Sequence, residues 1–317
     1  MILNIDGILL LQQLINGVSK GSVYALIALG YTMVYGIIEL INFAHGEVFM
    51  LGSFTAVSIV GLFGVNDQNP VLQDPLAVIG VLTVTFVLTM ILMGLLGVVI
   101  ERVAYRPLRN APKLAPLISA IGVSYILQNV GSAWKGPATI NFPDIFSDEV
   151  FHIAIGDGQV NIRSKAILVL VVSLVCMVLL TLFVQRTKLG KAMRATALDR
   201  ETAQLMGINV NTTIALTFFI GAALAGGGGL LYGMFIRGVQ FQLGFQAGLR
   251  AFTAAVLGGI GNIPGAMLGG FLIGLIEALS DNFLETRWTQ ATVFAVLILI
   301  LVFRPSGLLG QRVAEKV

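Results

Sequence analysis

Three stretches of this 317-residue chain place polar or conformationally special residues where they could do work inside or beside an apolar medium. The first is Ile41–Glu47, INFAHGE, which sets Asn42, His45 and Glu47 between two apolar runs with Gly46 as a breaker. Ionisable groups near hydrocarbon are expensive and usually face a bundle interior or a cavity, so a pathway or gating role competes with a headgroup-wetted helix start. A lone His with a Glu two residues on is poor spacing for zinc. The second is Ala251–Gly270, AFTAAVLGGIGNIPGAMLGG, where Gly258, Gly259 and Gly261, then Pro264 and Gly265, interrupt an apolar run in mid-membrane. Broken helices of this type line cavities in transporters, while the same small residues also serve plain helix-to-helix contact. The third is Thr187–Asn211, TKLGKAMRATALDRETAQLMGINVN. Asp199 is suited to cap a short helix that Gly207 stops, with Glu201 in its first turn. Upstream, Leu189, Met193 and Ala197 make an apolar stripe, and Lys188, Lys191 and Arg194 a charged one. Such an amphipathic segment either rests on lipid headgroups or docks a partner.

The elements that hold these stretches are membrane helices. Hydrophobic residues make up 56% and charged residues 11% of the chain, and the mean hydropathy is +0.92. A soluble domain carries about 25% charge, so this one has too few charges to cover a surface for water. Ile79–Ile100, Ala166–Val184 and Val293–Phe303 contain no charge at all. In lipid every backbone group must be paired internally, which makes such runs helices, and no alternating β-barrel pattern is present. The expected fold is an all-α polytopic transmembrane helical bundle. Its spans are Leu14–Ile38, Glu47–Val65, Leu76–Ile100, Leu114–Trp134, Lys165–Val184, Thr212–Phe235, Pro264–Leu279 and Thr289–Phe303. Leu249–Ile260 is too short to cross and reads as a half-helix or one side of a re-entrant element, so about 8–9 crossings are expected.

Twelve of the 19 Lys and Arg residues fall in Glu101–Lys113, Gln185–Glu201 and the tail from Arg304, whereas Val65–Pro75 and Lys135–Gln159 are acidic. The positive-inside rule puts the basic segments in the cytoplasm. The chain is then a single transmembrane domain over 1–317, with residues 135–164 an external loop and 185–211 a cytoplasmic one. Asp6 is the only charge before Lys20, so no cleaved leader is expected. Glu39, Arg237, Arg250 and Glu277 lie near or within apolar stretches and could pair, and Glu277 suits a proton-coupled carrier. No G-x-x-x-x-G-K-[ST] pattern occurs, so energy must come from a partner or an ion gradient. His45 and His152 are far apart, Cys176 lies in an apolar run, and no metal, catalytic or cofactor site is expected. The charge distribution gives no reason to expect nucleic acid.

Tyr24–Gly52 (YALIALGYTMVYGIIELINFAHGEVFMLG), Glu101–Arg109 (ERVAYRPLR), Gly190–Val210 (GKAMRATALDRETAQLMGINV) and Ala251–Gly270 together resemble the smaller high-affinity permease of bacterial ABC importers for branched-chain amino acids. The related urea and amide permeases share much of the pattern. The resemblance implies a non-catalytic inner-membrane permease working by alternating access. It implies as partners two cytoplasmic ATPase subunits, a second homologous permease or a copy of this one, and a periplasmic substrate-binding protein, all in membrane lipid. It also implies that 190–207 couples to the ATPase, with Lys191, Arg194, Asp199, Arg200 and Glu201 in contact and Gly190 and Gly207 as helix breakers. Asn42, His45, Glu47, Gly258, Gly259, Asn262 and Pro264 become pathway or gating positions. The competing reading is an ion-gradient-driven secondary transporter of a small polar solute.

Overall fold

A computed structural model describes residues 7–38, 41–65, 72, 74–109, 111–112, 114–155 and 158–310. Asp6, Glu39, Asp67, Lys113, Asp157, Arg312 and Lys316 lie outside them. The apolar runs form α1 (Gly7–Ile38), α2 (His45–Leu62), α3 (Pro75–Ile100), α4 (Leu114–Lys135) and α5 (Ser164–Arg186). Two short helices follow, α6 (Lys188–Leu198) and α7 (Arg200–Leu205), then α8 (Val210–Ile236), α9 (Leu243–Gly258), α10 (Ile263–Ser280) and α11 (Thr286–Phe303). Local chemistry starts several of them. Asp74 accepts from the Leu76 amide with Pro75 at the first helical position, Asn209 accepts from Thr212, and Asn262 accepts from Gly265 ahead of Pro264.

Among the described residues, seven helical stretches are long and apolar enough to cross a membrane. The expected eight or nine differ from this for two reasons. Pro264–Leu279 and Thr289–Phe303 belong to one helical run, Ile263–Phe303, through a π-helical turn at Asp281–Glu285. Glu285 adopts φ 68° and turns the chain back, because the Leu308 and Leu309 amides donate to the carbonyls of Leu257 and Gly258 beside the start of α10. The run is therefore two antiparallel legs. Leu249–Ile260 lies in α9, which has 16 residues and starts six positions earlier than expected.

Burial divides the helices into a hub and a ring. Most of α1, α2 and α8 is enclosed, whereas α3, α4, α5 and α11 present rows of exposed Leu, Ile and Val. Apolar rows of that extent suit lipid or a partner helix and not water. The hub is drawn together by missing side chains. A methyl group placed on Gly17 would lie 2.8 Å from Leu275 Cα, and one on Gly21 would lie 2.7 Å from Phe271 Cα. From the α10 side, the same addition at Gly270 or Gly274 runs into the backbone of Ala25 or Gly21. With no hydrophobic drive between helices in lipid, this close backbone approach and its dispersion contacts hold the seam.

The basic segments share one end of the bundle. Arg109 bonds Asn211 at the start of α8, Arg200 donates to the carbonyls of Ile37 and Ile38 at the end of α1, and Asn262 donates to Leu309 in the tail. At the other end, β2 (Val150–Ile155) and β3 (Gly158–Arg163) form an antiparallel hairpin tied to Gln12 of α1. There β1 (Ile140–Asn141) also pairs with β4 (Gly238–Val239).

Candidate functional site

The INFAHGE stretch lies inside the bundle. His45 Nε2 is 3.2 Å from the Ile27 carbonyl, so that nitrogen carries the donated proton, and the ring meets Tyr31 edge-on at 4.5 Å. Ile27 and Gly30 precede the end of α1 by roughly 12–16 Å at 1.5 Å per residue. Residues 41–44 therefore lead back into the interior to the start of α2. Asn42 accepts a 2.9 Å bond from the Tyr105 hydroxyl, and Glu47 accepts from Ser124 at 3.3 Å. The second Glu47 oxygen has no hydrogen-bond partner among the described residues. Asn42, His45 and Glu47 are all at most 5% exposed. A carboxylate enclosed there is not a headgroup-wetted helix start. Gly46 lets α9 approach: a methyl there would meet the Gly248 Cα at 2.9 Å and the carbonyl of Gly244. The N-termini of α2 and α9 thus converge within the bundle.

Gly258, Gly259, Asn262 and Pro264 are elsewhere. The break forms the tip of the α9–α10 hairpin, where Gly36 in the last turn of α1 lies beside Gly261. Gly259 takes φ 104°, which only glycine adopts freely, and its face is filled by Ser306 and Gly310 of the tail. Asn262 caps α10 and Pro264 occupies its first turn. A sequence run shows that a helix breaks but not which neighbours the break meets, here the end of α1 and the tail.

The charged residues of the apolar stretches sort into pairs. Arg237, in a left-handed conformation after α8, meets Asp144 at 2.8 Å, and Asp144 also pairs with Lys165. Arg250 faces Glu277 at 3.7 Å, Lys20 lies 4.0 Å from Glu277, and Lys20 bonds Asp281 at 2.8 Å. Sequence reasoning named Arg250 and Glu277 without joining them and passed over Lys20 and Asp281. Its usable signal was a lone charge in each of three otherwise apolar helices. Near the other end, Glu101 is fully buried and pairs with Arg109, whose guanidinium burial lowers its pKa from the ordinary value against the opposing pull of Glu101.

The amphipathic segment forms two helices at the basic end. Thr187 accepts from the Gly190 amide and starts α6, so Gly190 is not a breaker but a first-turn residue, packed on the carbonyls of Phe183 and Val184. The buried stripe is Gly190, Met193 and Thr196, shifted from the expected Leu189, Met193 and Ala197, with Leu189 exposed. Arg194 donates to the Val184 carbonyl. Asp199 caps α7 through the amides of Glu201 and Thr202, and Gly207 follows α7 at φ 80°. Arg194, Asp199 and Arg200 are therefore occupied in holding the segment. Exposed on it are Lys191, Arg194, Asp199, Glu201 and an apolar group unforeseen from the sequence: Leu198 at 82% exposure, Leu205 at 87% and Met206 at 78%.

The geometry is that of a membrane helical core carrying a rigidly anchored, outward-facing helix pair, and comparison with known proteins agrees. The family described as branched-chain amino acid transport system / permease component matches residues 13–302. The high-affinity branched-chain amino acid transport system permease protein LivH of Escherichia coli K12 is 45% identical, over 97% of each chain. The LivH protein of Salmonella typhimurium is 44% identical, also over 97% of each. BraD of Pseudomonas aeruginosa, a permease protein of the same description, is 46% identical over 97% of this chain and 98% of its own. The match runs through both the membrane hub and the α6–α7 segment, and the chain belongs to the family of multi-pass permease components of branched-chain amino acid transport systems.

Proposed function

We propose that this chain moves branched-chain amino acids into the cytoplasm as one of two permeases in an ABC importer, with the basic end inside. Two cytoplasmic ATPase subunits grip it, and a periplasmic binding protein delivers substrate to the end bearing the β2–β3 hairpin. The observation that carries this reading is α6–α7. Its inner face is fastened to α1 and α5 through Arg200 and Arg194, while Leu198, Leu205 and Met206 stand in the open beside Lys191 and Glu201. Apolar side chains that exposed, rimmed by charge at a helix pair too short to span, fit a protein groove. Because the segment is anchored to α1, motion in the ATPase is passed to the hub. Asn42, His45 and Glu47 then lie where the re-entrant stretch and the broken helices rearrange between inward- and outward-open states. The turn residues Gly258, Gly259, Asn262 and Pro264 act as the fixed tip about which α9 and α10 move.

The test is co-purification in mild detergent of the tagged chain with its ATPase subunits, comparing wild type with Leu198→Asp/Leu205→Asp. These positions touch little of the chain itself, so the variant is expected to stay folded and lose at least about tenfold of the bound ATPase, as for truncation of interface anchors. Undiminished ATPase on the variant sinks the docking role of α6–α7. Transport of leucine by the wild-type chain alone, driven by a proton gradient, would overturn the importer reading.

A further inference from the structure

Towards the end of the bundle opposite α6–α7, a cavity of about 390 Å³ opens between α1, α8, α9, α10 and α11. Its charged lining is Lys20, Arg250, Glu277, Asp281 and Arg287, with Thr286, Thr289 and Gln290 beside them, and its other walls include Tyr24, Val23, Tyr232 and Ile236. We infer that this cavity is a transient station for the free amino acid, which binds as a zwitterion between Arg250 and Glu277. The inference rests on the importer reading and adds to it the residues that would recognise the substrate.

Four observations support it. First, Arg250 and Glu277 face each other at 3.7 Å, beyond a good hydrogen bond, and that same Glu277 oxygen has no hydrogen-bond partner. A pair built only for stability closes to the shorter distances at which charged groups bond, as Lys20 and Asp281 do at 2.8 Å. Second, Glu277 lines the cavity yet is only 6% exposed, so a ligand there meets a carboxylate withdrawn from bulk water. Third, both signs of charge that an α-amino acid requires line the cavity. The guanidinium can fork a carboxylate, and Glu277, flanked by Asp281, can accept an ammonium group. Fourth, the α1 and α8 walls are mainly aliphatic and aromatic, through Val23, Tyr24, Tyr232, Phe235 and Ile236, and the volume lies within the roughly 300–1,000 Å³ range of small-molecule sites. Tyr24, whose ring sits 6.0 Å from the Arg250 guanidinium carbon, holds that side chain over the cavity. A neutral or singly charged solute would leave one member of the pair unmatched in a low-dielectric wall, which makes the site selective for zwitterions.

The test begins with the purified permease. Ile236→Cys, in a Cys176→Ala background, reports the cavity by its rate of modification with a charged methanethiosulfonate reagent. L-leucine at millimolar concentration is expected to slow labelling several-fold, whereas leucinamide and isocaproate, which each lack one charge, do not. The assembled importer is then reconstituted with its binding protein. Arg250→Gln and Glu277→Gln are each expected to lower leucine uptake by about tenfold or more while ATP hydrolysis stimulated by the binding protein persists. Arg250→Lys, a cation without the fork, should recover part of the uptake. If either Gln variant fails to assemble, an Arg250→Glu/Glu277→Arg swap keeps the pair but reverses its polarity. Assembly of the swap without uptake supports the station, and assembly with wild-type uptake refutes it. Equal protection by all three ligands, or none, overturns the inference even if the ATPase co-purifies and the importer reading stands.

Discussion

Gly270→Val is expected to leave little folded protein. A side chain at position 270 projects into the backbone of Ala25 on α1, and α1 has no slack there because Gly17 and Gly21 bring it equally close to Phe271 and Leu275. Overpacking a core ordinarily costs about 1–3 kcal/mol because neighbouring side chains shift. Here both walls are backbone, so the helices must part along the seam, and the cost is expected at or above about 3 kcal/mol. The loss is measured as the thermal midpoint of monodisperse protein in detergent, expected to fall by about 10 °C or more. Gly122→Val is the control: Gly122 lies on α4 with nothing within 4 Å of an added methyl. Matching midpoints for the two variants would show that the seam does not depend on close approach.

Arg109→Ala is expected to be nearly as severe, for an electrostatic reason. The Arg109 guanidinium serves Glu101 and also Asn211 at 2.6 Å, joining the base of α3 to the start of α8. Glu101 is 0% exposed and one of its oxygens already lacks a hydrogen-bond partner. Removing one partner of a buried pair strands the other charge, at about 3–5 kcal/mol. A Glu101→Gln/Arg109→Ala double variant should recover a large part of that loss, because no charge is then stranded. Arg109→Lys should recover less than the double variant, since one ammonium does not reach both acceptors in the fork geometry. The double-mutant cycle is read from the same thermal midpoints, and simple additivity would show that the two residues act independently.

The contrast between these residues marks what the sequence made legible. The membrane helices are plain because charge-free apolar runs admit only one backbone solution in lipid, and the ends of α7 are plain where Asp199 and Gly207 supply a cap and a stop. Asp199 was also readable as a cap because its effect is local, spanning three residues. The site was less legible because its pairs are distant in the chain. Lys20 and Asp281 are 261 positions apart, and no periodicity relates Arg250 on α9 to Glu277 on α10. The direction a helix faces was equally hidden. Gly190 reads as a breaker from its type alone, yet it continues α6 because the neighbouring α5 carbonyls leave no room for a side chain. Leu198, Leu205 and Met206 belong by composition to a core, and only the tertiary placement of α6 and α7 exposes them.

The enclosure of α1 has a consequence for biosynthesis. Its tightest neighbour, α10, starts roughly 225 residues after α1 ends, so at 5–20 residues per second α1 waits about 10–45 s for it. Throughout that interval the glycine ridge that will become the seam is bathed in lipid, and Lys20 has neither Glu277 nor Asp281 to neutralise it. The helix at the centre of the finished protein is thus a provisional one during synthesis, and the quality-control window for this permease stays open until its last third has been inserted.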